Sequence, residues 1–266
     1  MMKKYQGAVF FDIDGTLVDE RQGIFKPTPK TVASLQCLQE RGYLIGIATG
    51  RARCYLPDLG IDFDCYVTCN GAVCEVDGEE ILNEHIPEED VRRMIAFMEK
   101  EKLGFDLETS KCCYIDPKAE DVFWKMMQVF QIENNGTFQR FSDPSGLKIN
   151  KILITFEEEG QMERMREFCG EEFFVLRHHK NNSADVGKWG MSKAVGIRAV
   201  MDHLGLKMED TYAFGDDDND FEMLRAVGHG IAMTPHAEGL DAVAEYLTCS
   251  VAEDGIYQGL NHYGLL

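Results

Sequence analysis

The chain has 266 residues, of which 44% are hydrophobic and 27% charged, a composition typical of a globular protein with a substantial core. Its 46 acidic residues outnumber 27 lysines and arginines, which gives a formal net charge of −19 and argues against nucleic acid or an anionic membrane as a partner. No stretch approaches the roughly 20 apolar residues of a membrane-spanning helix.

The N-terminal residues and the cysteines bear on the cellular compartment of the protein. Residues 1–5 run straight into the first apolar segment, so we expect no signal peptide. The nine cysteines are irregularly spaced and form no C-x-x-C pair, which disfavours a zinc site. We therefore expect free thiols in a reducing compartment and a cytoplasmic protein.

The first third alternates between predicted strands and helices. Short apolar runs at 8–11, 43–48 and 65–68 are typical of buried parallel strands, and the spacing of apolar residues predicts a helix over 28–41. This order predicts an α/β fold built on a doubly wound parallel sheet.

The middle of the chain has a different character. The patterns predict helices near 88–102, 118–131 and 158–170, and amphipathic strands within 105–115, 147–156 and 172–178. We expect an inserted α+β cap domain at 84–186, which interrupts one α/β core formed by 1–83 and 187–266.

The last third resumes the α/β pattern. It predicts a helix over 192–204, a strand at 211–214, a helix over 219–226 and a short strand at 230–233.

Polar residues follow the predicted core strands. Asp12 and Asp14 follow the first, Thr49 the second, Asn70 the third and Asp216 a later one. Because the carboxyl ends of parallel strands lie at one edge of a sheet, these groups are predicted to converge on one site.

The carboxylates of this edge indicate a cation site. Asp12, Asp14, Asp216 and Asp220 would raise one another's pKa values if they were gathered without a counter-charge. Mg²⁺ takes oxygen ligands and would remove that repulsion. The alternative is a solvated acidic loop, or a helix N-cap, at 215–220.

Two further features fit nucleophilic chemistry. One carboxylate of the Asp12 and Asp14 pair can attack while the other moves protons, although both could be solvated aspartates behind a strand. Lys193, at the start of a predicted helix, can offset charge on a nucleophile and a transferring phosphoryl group, although a lysine there is often a surface residue.

Four ordered motifs resemble those of the haloacid dehalogenase superfamily, specifically its Cof-type, subclass IIB sugar phosphatases. They are Asp12-Ile13-Asp14-Gly15-Thr16, Thr49-Gly50-Arg51, Lys193 and Gly215-Asp216-Asp217-Asp218-Asn219-Asp220. The resemblance covers nearly the whole chain and implies a Rossmann-like core with a large inserted cap.

The resemblance implies a two-step phosphoryl transfer. Asp12 would attack phosphorus and form an aspartyl-phosphate, and Asp14 would protonate the leaving group and then activate water. Thr49 and the backbone amide of Gly50 would hold phosphoryl oxygens. Lys193 would position Asp12 and neutralise charge, which suits a reaction that depends on alignment and electrostatics.

The same resemblance implies a magnesium site. Its ligands would be Asp12, the backbone carbonyl of Asp14 and Asp216, with Asn219 and Asp220 nearby, either directly or through water.

Substrate contacts are implied less directly. Asn70-Gly71-Ala72 matches a Cof-type motif, so Asn70 would face the substrate, although it could be a simple turn. Arg51 would contact the leaving group or pair with an acid at the rim. Basic cap candidates are Lys148, Lys151, Arg177, His178, His179 and Lys180.

One segment departs from the family pattern. Relatives commonly carry Met-Gly-Asn-Ala after the strand predicted at 230–233, whereas this chain has Met233-Thr234-Pro235-His236-Ala237. Any contact made by the missing asparagine is therefore in doubt.

We expect a Mg²⁺-dependent phosphatase that acts on small phosphorylated metabolites, with sugar phosphates as the favoured class. The alternatives are a phosphomutase of the phosphomannomutase type and a non-catalytic sensor of phosphate esters. The sequence leaves the physiological substrate and the oligomeric state open.

Overall fold

The computed structural model describes residues 5–178 and 181–266. Residues 1–4, where the signal-peptide expectation applies, and the cap candidates His179 and Lys180 lie outside the described residues. Within the described part, no helix has both the length and the apolar character needed to cross a membrane.

The described residues form the following strands and helices. The strands are β1 (Ala8–Phe11), β2 (Leu44–Ala48), β3 (Cys65–Thr68), β4 (Val73–Val76), β5 (Glu79–Asn83), β6 (Gly104–Glu108), β7 (Cys113–Ile115), β8 (Phe138–Arg140), β9 (Lys151–Thr155), β10 (Phe173–His178), β11 (Ser183–Lys188), β12 (Thr211–Gly215), β13 (His229–Ala232) and β14 (Tyr246–Leu247). The α-helices are α1 (Pro29–Glu40), α2 (Glu88–Glu101), α3 (Glu120–Val129), α4 (Glu159–Cys169), α5 (Lys193–Leu204), α6 (Phe221–Ala226) and α7 (Gly255–His262).

The chain divides into two compact units. The first comprises Met1–Gly50, Pro57–Leu82 and Ser192–Leu266, and the second comprises Arg51–Leu56 and Asn83–Met191.

The first unit is built on an eight-stranded sheet with the order β14-β13-β12-β1-β2-β3-β4-β5. The strands from β14 to β3 pair in parallel, and β4 runs antiparallel to β3. All four residues of β1 are buried, as expected of a strand with neighbours on both sides and helices on both faces.

Helices cover both faces of this sheet. Ala8 and Phe10 of β1 belong to one apolar cluster with residues of α5 and α6. Side chains alternate along a strand, so Phe11 points to the opposite face, where it stacks on Phe214 with ring centroids 5.2 Å apart. Gly259 of α7 lies against the Phe214 ring, and α7 contacts α1. The predicted doubly wound α/β fold is confirmed.

The second unit contains a six-stranded sheet with the order β10-β11-β9-β6-β7-β8, antiparallel except between β7 and β8. One face is apolar and packs against α2 and α4. Its strand residues are Phe105, Leu107, Ile152, Ile154, Ala184 and Val186. The centre of the opposite face carries four buried charged residues, Asp106, Glu108, Lys151 and Asp185, with the apolar Leu153 between Asp106 and Asp185. We call it the charged face.

The boundaries of the two units differ from the expected ones at three places, of which the one at Asn83 is a shift of a single residue. Arg51–Leu56 groups with the second unit, where the Tyr55 hydroxyl donates to Glu108 Oε1 at 2.8 Å. The second unit also extends to Met191, because β11 remains paired with β10 as far as Lys188. The pattern within 105–115 corresponds to two strands, β6 and β7, rather than one.

Candidate active site

The first carboxylate is held by the central strand of the first unit. The backbone N–H of Asp12 donates to Phe214 O at 3.0 Å, so Asp12 continues the pairing of β1 with β12. Just beyond it, the N–H groups of Leu17 and Val18 donate to Ile13 O, each at 3.0 Å. This tight turn places Asp14 directly after the strand end. Asp12 is buried and Asp14 is half-buried.

Gly15 brings this turn against the acidic loop that follows β12. Its φ of +111° lies in the region that favours glycine, and a Cβ at this position would overlap the carboxylate of Asp216. Next to it, the Thr16 hydroxyl donates to Asp216 Oδ1 at 3.2 Å. Two widely separated parts of the chain therefore meet at Asp216.

The start of α5 places Lys193 at the same edge. Gly71 has a φ of +91°, and a Cβ there would overlap the backbone carbonyl of Ser192. The loop after β3 therefore packs directly against the first turn of α5, and Lys193, its first residue, is fully buried. The predicted lysine is not a surface residue.

Lys193 joins two carboxylates. Its Nζ donates to Asp12 Oδ1 and to Asp220 Oδ1, both at 2.7 Å. Burial alone would lower the pKa of Lys193, but the charges of Asp12 and Asp220 outweigh that effect and hold it above the ordinary value of a lysine. Lys193 therefore stays positively charged beside Asp12.

Asp220 organises the acidic loop. Its Oδ1 accepts from Lys193, and its Oδ2 accepts from the backbone N–H groups of Asp216 at 2.8 Å and Asp217 at 3.0 Å. Burial raises its pKa to about 6, although Lys193 opposes the rise. Each Asp220 oxygen is thus already engaged, which suits a residue that positions Lys193 and the loop.

Three more predicted residues, from the loops after β2, β3 and β12, lie close together. The N–H of Asn70 donates to Thr49 O at 3.1 Å, and the Nδ2 of Asn219 donates to Asn70 Oδ1 at 3.2 Å. Asn70 has a φ of +52°, a left-handed conformation that asparagine tolerates better than most residues. Thr49 and Asn70 are both buried.

The residues present fit a hard divalent cation. Among the described residues, the acidic, histidine and cysteine side chains that could jointly hold a metal ion are Asp12, Asp216 and Asp220, with ligand atoms all within 4.8 Å of one another. All donors are carboxylate oxygens, which favour Mg²⁺ over softer metals. Since Asp220 is engaged as described, Asp12 and Asp216 are the side chains best placed to bind it.

Comparison with known families agrees with this geometry. The family model for haloacid dehalogenase-like hydrolases matches residues 9–260. The chain belongs to this family. Haloacid dehalogenase-like hydrolases of known structure share its fold: the subclass IIB sugar phosphatase BT4131 superposes with a TM-score of 0.86 at 30% identity, covering 98% of this chain and 100% of that one. The resemblance to the Cof-type members is confirmed.

Curated relatives of this haloacid dehalogenase-like hydrolase span nearly its full length. The Bacillus subtilis protein YkrA is 30% identical over 280 residues, which cover 97% of this chain and 98% of the relative. The Bacillus subtilis 5-amino-6-(5-phospho-D-ribitylamino)uracil phosphatase YitU is 25% identical, with 96% of each chain covered.

Arg51 is the predicted site residue that groups with the second unit of this hydrolase. Its guanidinium lies over the Phe130 ring, 5.0 Å from the centroid. The predicted catalytic and metal-binding residues belong to the first unit, whereas the described basic candidates Lys148, Lys151, Arg177 and His178 belong to the second. A contact between Arg51 and the leaving group therefore stays a prediction.

Two contacts at Asp216 are made by residues that have no predicted role, Thr16 and Ala237. Thr16 follows the paired aspartates and supplies the hydroxyl bonded to Asp216, so its place in the motif was the available signal. In the segment that departs from the family pattern, the N–H of Ala237 donates to Asp216 O at 2.7 Å. This segment therefore supports the acidic loop through its backbone, whichever side chains it carries.

Proposed function

We propose that this protein is a Mg²⁺-dependent phosphatase that hydrolyses small phosphorylated metabolites, with sugar phosphates as the favoured class. The observation that carries the proposal is the buried Lys193, whose Nζ lies 2.7 Å from both Asp12 and Asp220. The positively charged Nζ orients the Asp12 carboxylate by a hydrogen bond and places a cation beside it at the edge of the sheet. Such preorganised charge is what phosphoryl transfer requires.

Asp12 is the proposed nucleophile. Lys193 holds Asp12 Oδ1, so the carboxylate is oriented with Oδ2 outside that hydrogen bond. In-line attack by this oxygen on phosphorus would form an aspartyl-phosphate on Asp12 and break the bond to the ester oxygen.

Asp14 is the proposed proton carrier. It lies two residues beyond the nucleophile and is half-buried, so it can exchange protons with groups outside the core. It would first protonate the departing ester oxygen. It would then accept a proton from the water that hydrolyses the aspartyl-phosphate, which returns Asp12 to its carboxylate form.

The phosphoryl oxygens are assigned to Thr49 and the backbone N–H of Gly50, and Asn70 is assigned a position facing the substrate. This assignment is supported by the hydrogen bond from the backbone N–H of Asn70 to Thr49 O, which holds the ends of β2 and β3 together. Lys193 would offset the charge that develops during transfer.

The magnesium ion is assigned to Asp12, the backbone carbonyl of Asp14 and Asp216, with Asn219 and Asp220 around it. When bound, it supplies positive charge beside the phosphoryl oxygens. Thr16, Asp220 and the turn at Gly15 hold the Asp216 side of the site in place.

The test is phosphate release from a panel of sugar and nucleotide monophosphates, with and without Mg²⁺. Asp12→Asn should lower kcat by at least about 10³-fold, roughly 4 kcal/mol, because the amide is a poor nucleophile. The matched control is Asp62→Asn at an exposed aspartate, which should retain full activity. More than about a tenth of wild-type activity in Asp12→Asn would contradict the nucleophile assignment.

A further inference from the structure

Two cysteines of the second unit have their sulfur atoms in contact. Cys54 belongs to the stretch Arg51–Leu56, and Cys113 is the first residue of β7. Their Sγ atoms lie 3.5 Å apart, although the two residues are 59 positions apart in the sequence. A disulfide between them requires the sulfur atoms to approach by only about 1.5 Å.

Thr137 positions the backbone of both cysteines. Its hydroxyl donates to Cys54 O at 3.2 Å, and its carbonyl oxygen accepts from the backbone N–H of Cys113 at 2.9 Å. Tyr55, which follows Cys54, packs against the Phe138 ring with centroids 5.7 Å apart. The two thiols are therefore oriented by shared neighbours, which favours reaction between them over reaction with other thiols.

The pair combines one thiol that a small oxidant can reach with one that is shielded. Cys54 is half-buried, whereas Cys113 is fully buried. Burial holds the pKa of the Cys113 thiol well above its ordinary value, so this thiol is slow to react directly with an oxidant. Accessible cysteines oxidise first, and a neighbouring cysteine can then attack the sulfenic acid that forms.

We propose that Cys54 and Cys113 are a redox modification site, at which a peroxide converts the two thiols to a disulfide that a dithiol reductant reverses. First, the deprotonated Cys54 sulfur attacks one peroxide oxygen and becomes a sulfenic acid, while the other oxygen leaves as water with the Cys54 proton. The Cys113 sulfur then attacks the sulfenic sulfur, and the departing hydroxide takes the Cys113 proton as a second water. The two sulfurs together lose the electron pair that reduces the peroxide.

The disulfide would join Arg51–Leu56 covalently to β7, and so connect the two stretches of chain that form the second unit. It would close a loop of about 60 residues, which restricts the unfolded chain and stabilises the folded unit. In a reducing compartment such a bond is usually transient, which suits a reversible modification. The inference is independent of the proposed phosphatase function, and its test uses no activity measurement.

The experiment treats the reduced full-length chain with hydrogen peroxide, blocks the remaining thiols with N-ethylmaleimide and maps the cross-linked tryptic peptides by mass spectrometry. The variants are Cys54→Ala and Cys113→Ala. Cys112→Ala is the control for the thiol next to Cys113, because Cys112 Sγ donates instead to Thr137 O at 2.9 Å. Cys37→Ala is the control for a half-buried cysteine of the first unit.

Thermal unfolding, followed by tryptophan fluorescence, gives a second readout. The two tryptophans of the chain, Trp124 and Trp189, both lie in the second unit, so their emission reports on the unit that the disulfide would stabilise. Each variant is also unfolded in the reduced state, which shows whether the alanine substitution alone disturbs folding.

We expect peroxide to cross-link the peptide that begins at Cys54 to the peptide that contains Cys113 in at least about half of the wild-type chains. The cross-link should fall at least about tenfold in Cys54→Ala and Cys113→Ala and be unchanged in both controls. The unfolding midpoint of the oxidised wild type should rise by at least about 5 °C and return to its original value with dithiothreitol.

Four results would overturn the inference. One is oxidation that stops at Cys54 sulfinic acid while Cys113 stays free. The others are a disulfide that persists in Cys113→Ala and is lost in Cys112→Ala, a disulfide that joins two chains, and a cross-link that leaves the fluorescence midpoint unchanged. If one alanine variant did not fold in the reduced state, the other variant and the wild-type peptide map would decide.

Discussion

At the scale of single residues, the buried Lys193 is the group on which the arrangement of the site most depends. Its Nζ is the shared partner of Asp12 and Asp220, and all three side chains are at most 6% exposed. The lysine thus balances two negative charges that would otherwise be buried without compensation. Its contribution to stability should therefore be coupled to the catalytic role proposed for it.

Lys193→Met should therefore lower both stability and activity. We expect a loss of about 3–5 kcal/mol in the free energy of unfolding, measured with urea in the absence of Mg²⁺, because two buried carboxylates lose their cation. The control is Lys207→Met, which removes an exposed lysine 2.9 Å from Glu209 and should leave the free energy of unfolding almost unchanged. Equal destabilisation of the two variants would contradict this role for Lys193.

Glu108 should make stability depend on pH. Burial raises its pKa from the ordinary 4.5 to about 7, although Lys151 opposes the rise. The groups around it are Tyr55, Asp106, Lys151 and Asp185, with His178 and Cys113 beyond. The folded state holds the Glu108 proton more tightly than the unfolded chain does, so stability is lost as pH rises from about 4.5 to about 7.

Glu108→Gln removes this titrating group and should remove its share of the pH dependence. Between about pH 5 and about pH 8, the unfolding free energy of wild type should fall by about 3 kcal/mol relative to that of Glu108→Gln. Urea unfolding of both proteins at the two pH values measures this difference. A constant difference would show that Glu108 does not titrate abnormally.

At the scale of elements, the site depends on close approaches between loops that follow different strands. The turn after β1 lies against the loop after β12 at Gly15, and the loop after β3 lies against α5 at Gly71. Both positions lack a side chain and have positive φ angles, so backbone can come near backbone or carboxylate. These contacts fix the positions of Asp216 and Lys193.

Gly15→Ala should weaken magnesium activation. The new Cβ would displace the Asp216 carboxylate, so we expect the Mg²⁺ concentration for half-maximal phosphatase activity to rise at least about tenfold. Gly23→Ala is the matched control, because Gly23 also has a positive φ (+72°) but no atom within 4 Å of the added Cβ. Similar magnesium activation in the two variants would show that close approach to Asp216 is unimportant.

At the scale of the whole molecule, the two units have different chemical characters. The predicted catalytic and metal-binding carboxylates lie in the first unit, whereas the charged face lies in the second. The second unit is assembled from two stretches of chain, because Arg51–Leu56 groups with Asn83–Met191. The hydrogen bond from the Tyr55 hydroxyl to Glu108 Oε1 joins these two stretches.

Exchange of the second unit with that of a relative should therefore transfer substrate preference. Replacing residues 51–56 together with 83–191 should move the ranking of kcat/KM values towards that of the relative, with magnesium dependence retained. A chimera that exchanges 83–191 alone is the control, and it should be less stable because Tyr55 then faces foreign residues. An unaltered ranking in the double exchange would assign specificity to the first unit.

The fold was largely predictable because its core strands are short apolar runs. The predictions at 8–11, 65–68 and 211–214 correspond closely to β1, β3 and β12, which are buried from both sides and carry no competing pattern. Shorter or less apolar strands, such as β8 and β14, were missed because two or three residues give no periodicity. The helix α7 was also missed.

Half of the charged face is visible in the sequence as an alternation of apolar and acidic residues in β6. In β6, Phe105 and Leu107 alternate with Asp106 and Glu108, which predicts a strand with one apolar and one polar face. Such a pattern ordinarily indicates a face in water. Only the structure shows that these carboxyl groups are buried.

The sequence alone was enough to infer the family, the α/β core with its inserted segment and the polar residues at the strand ends, because apolar patterning and motif order are read directly along the chain. Only the folded structure shows that Lys193 is buried between Asp12 and Asp220, that Asp220 accepts hydrogen bonds from backbone N–H groups, and that Asp106 has no described partner. These depend on distances between residues far apart in sequence, which spacing along the chain does not specify.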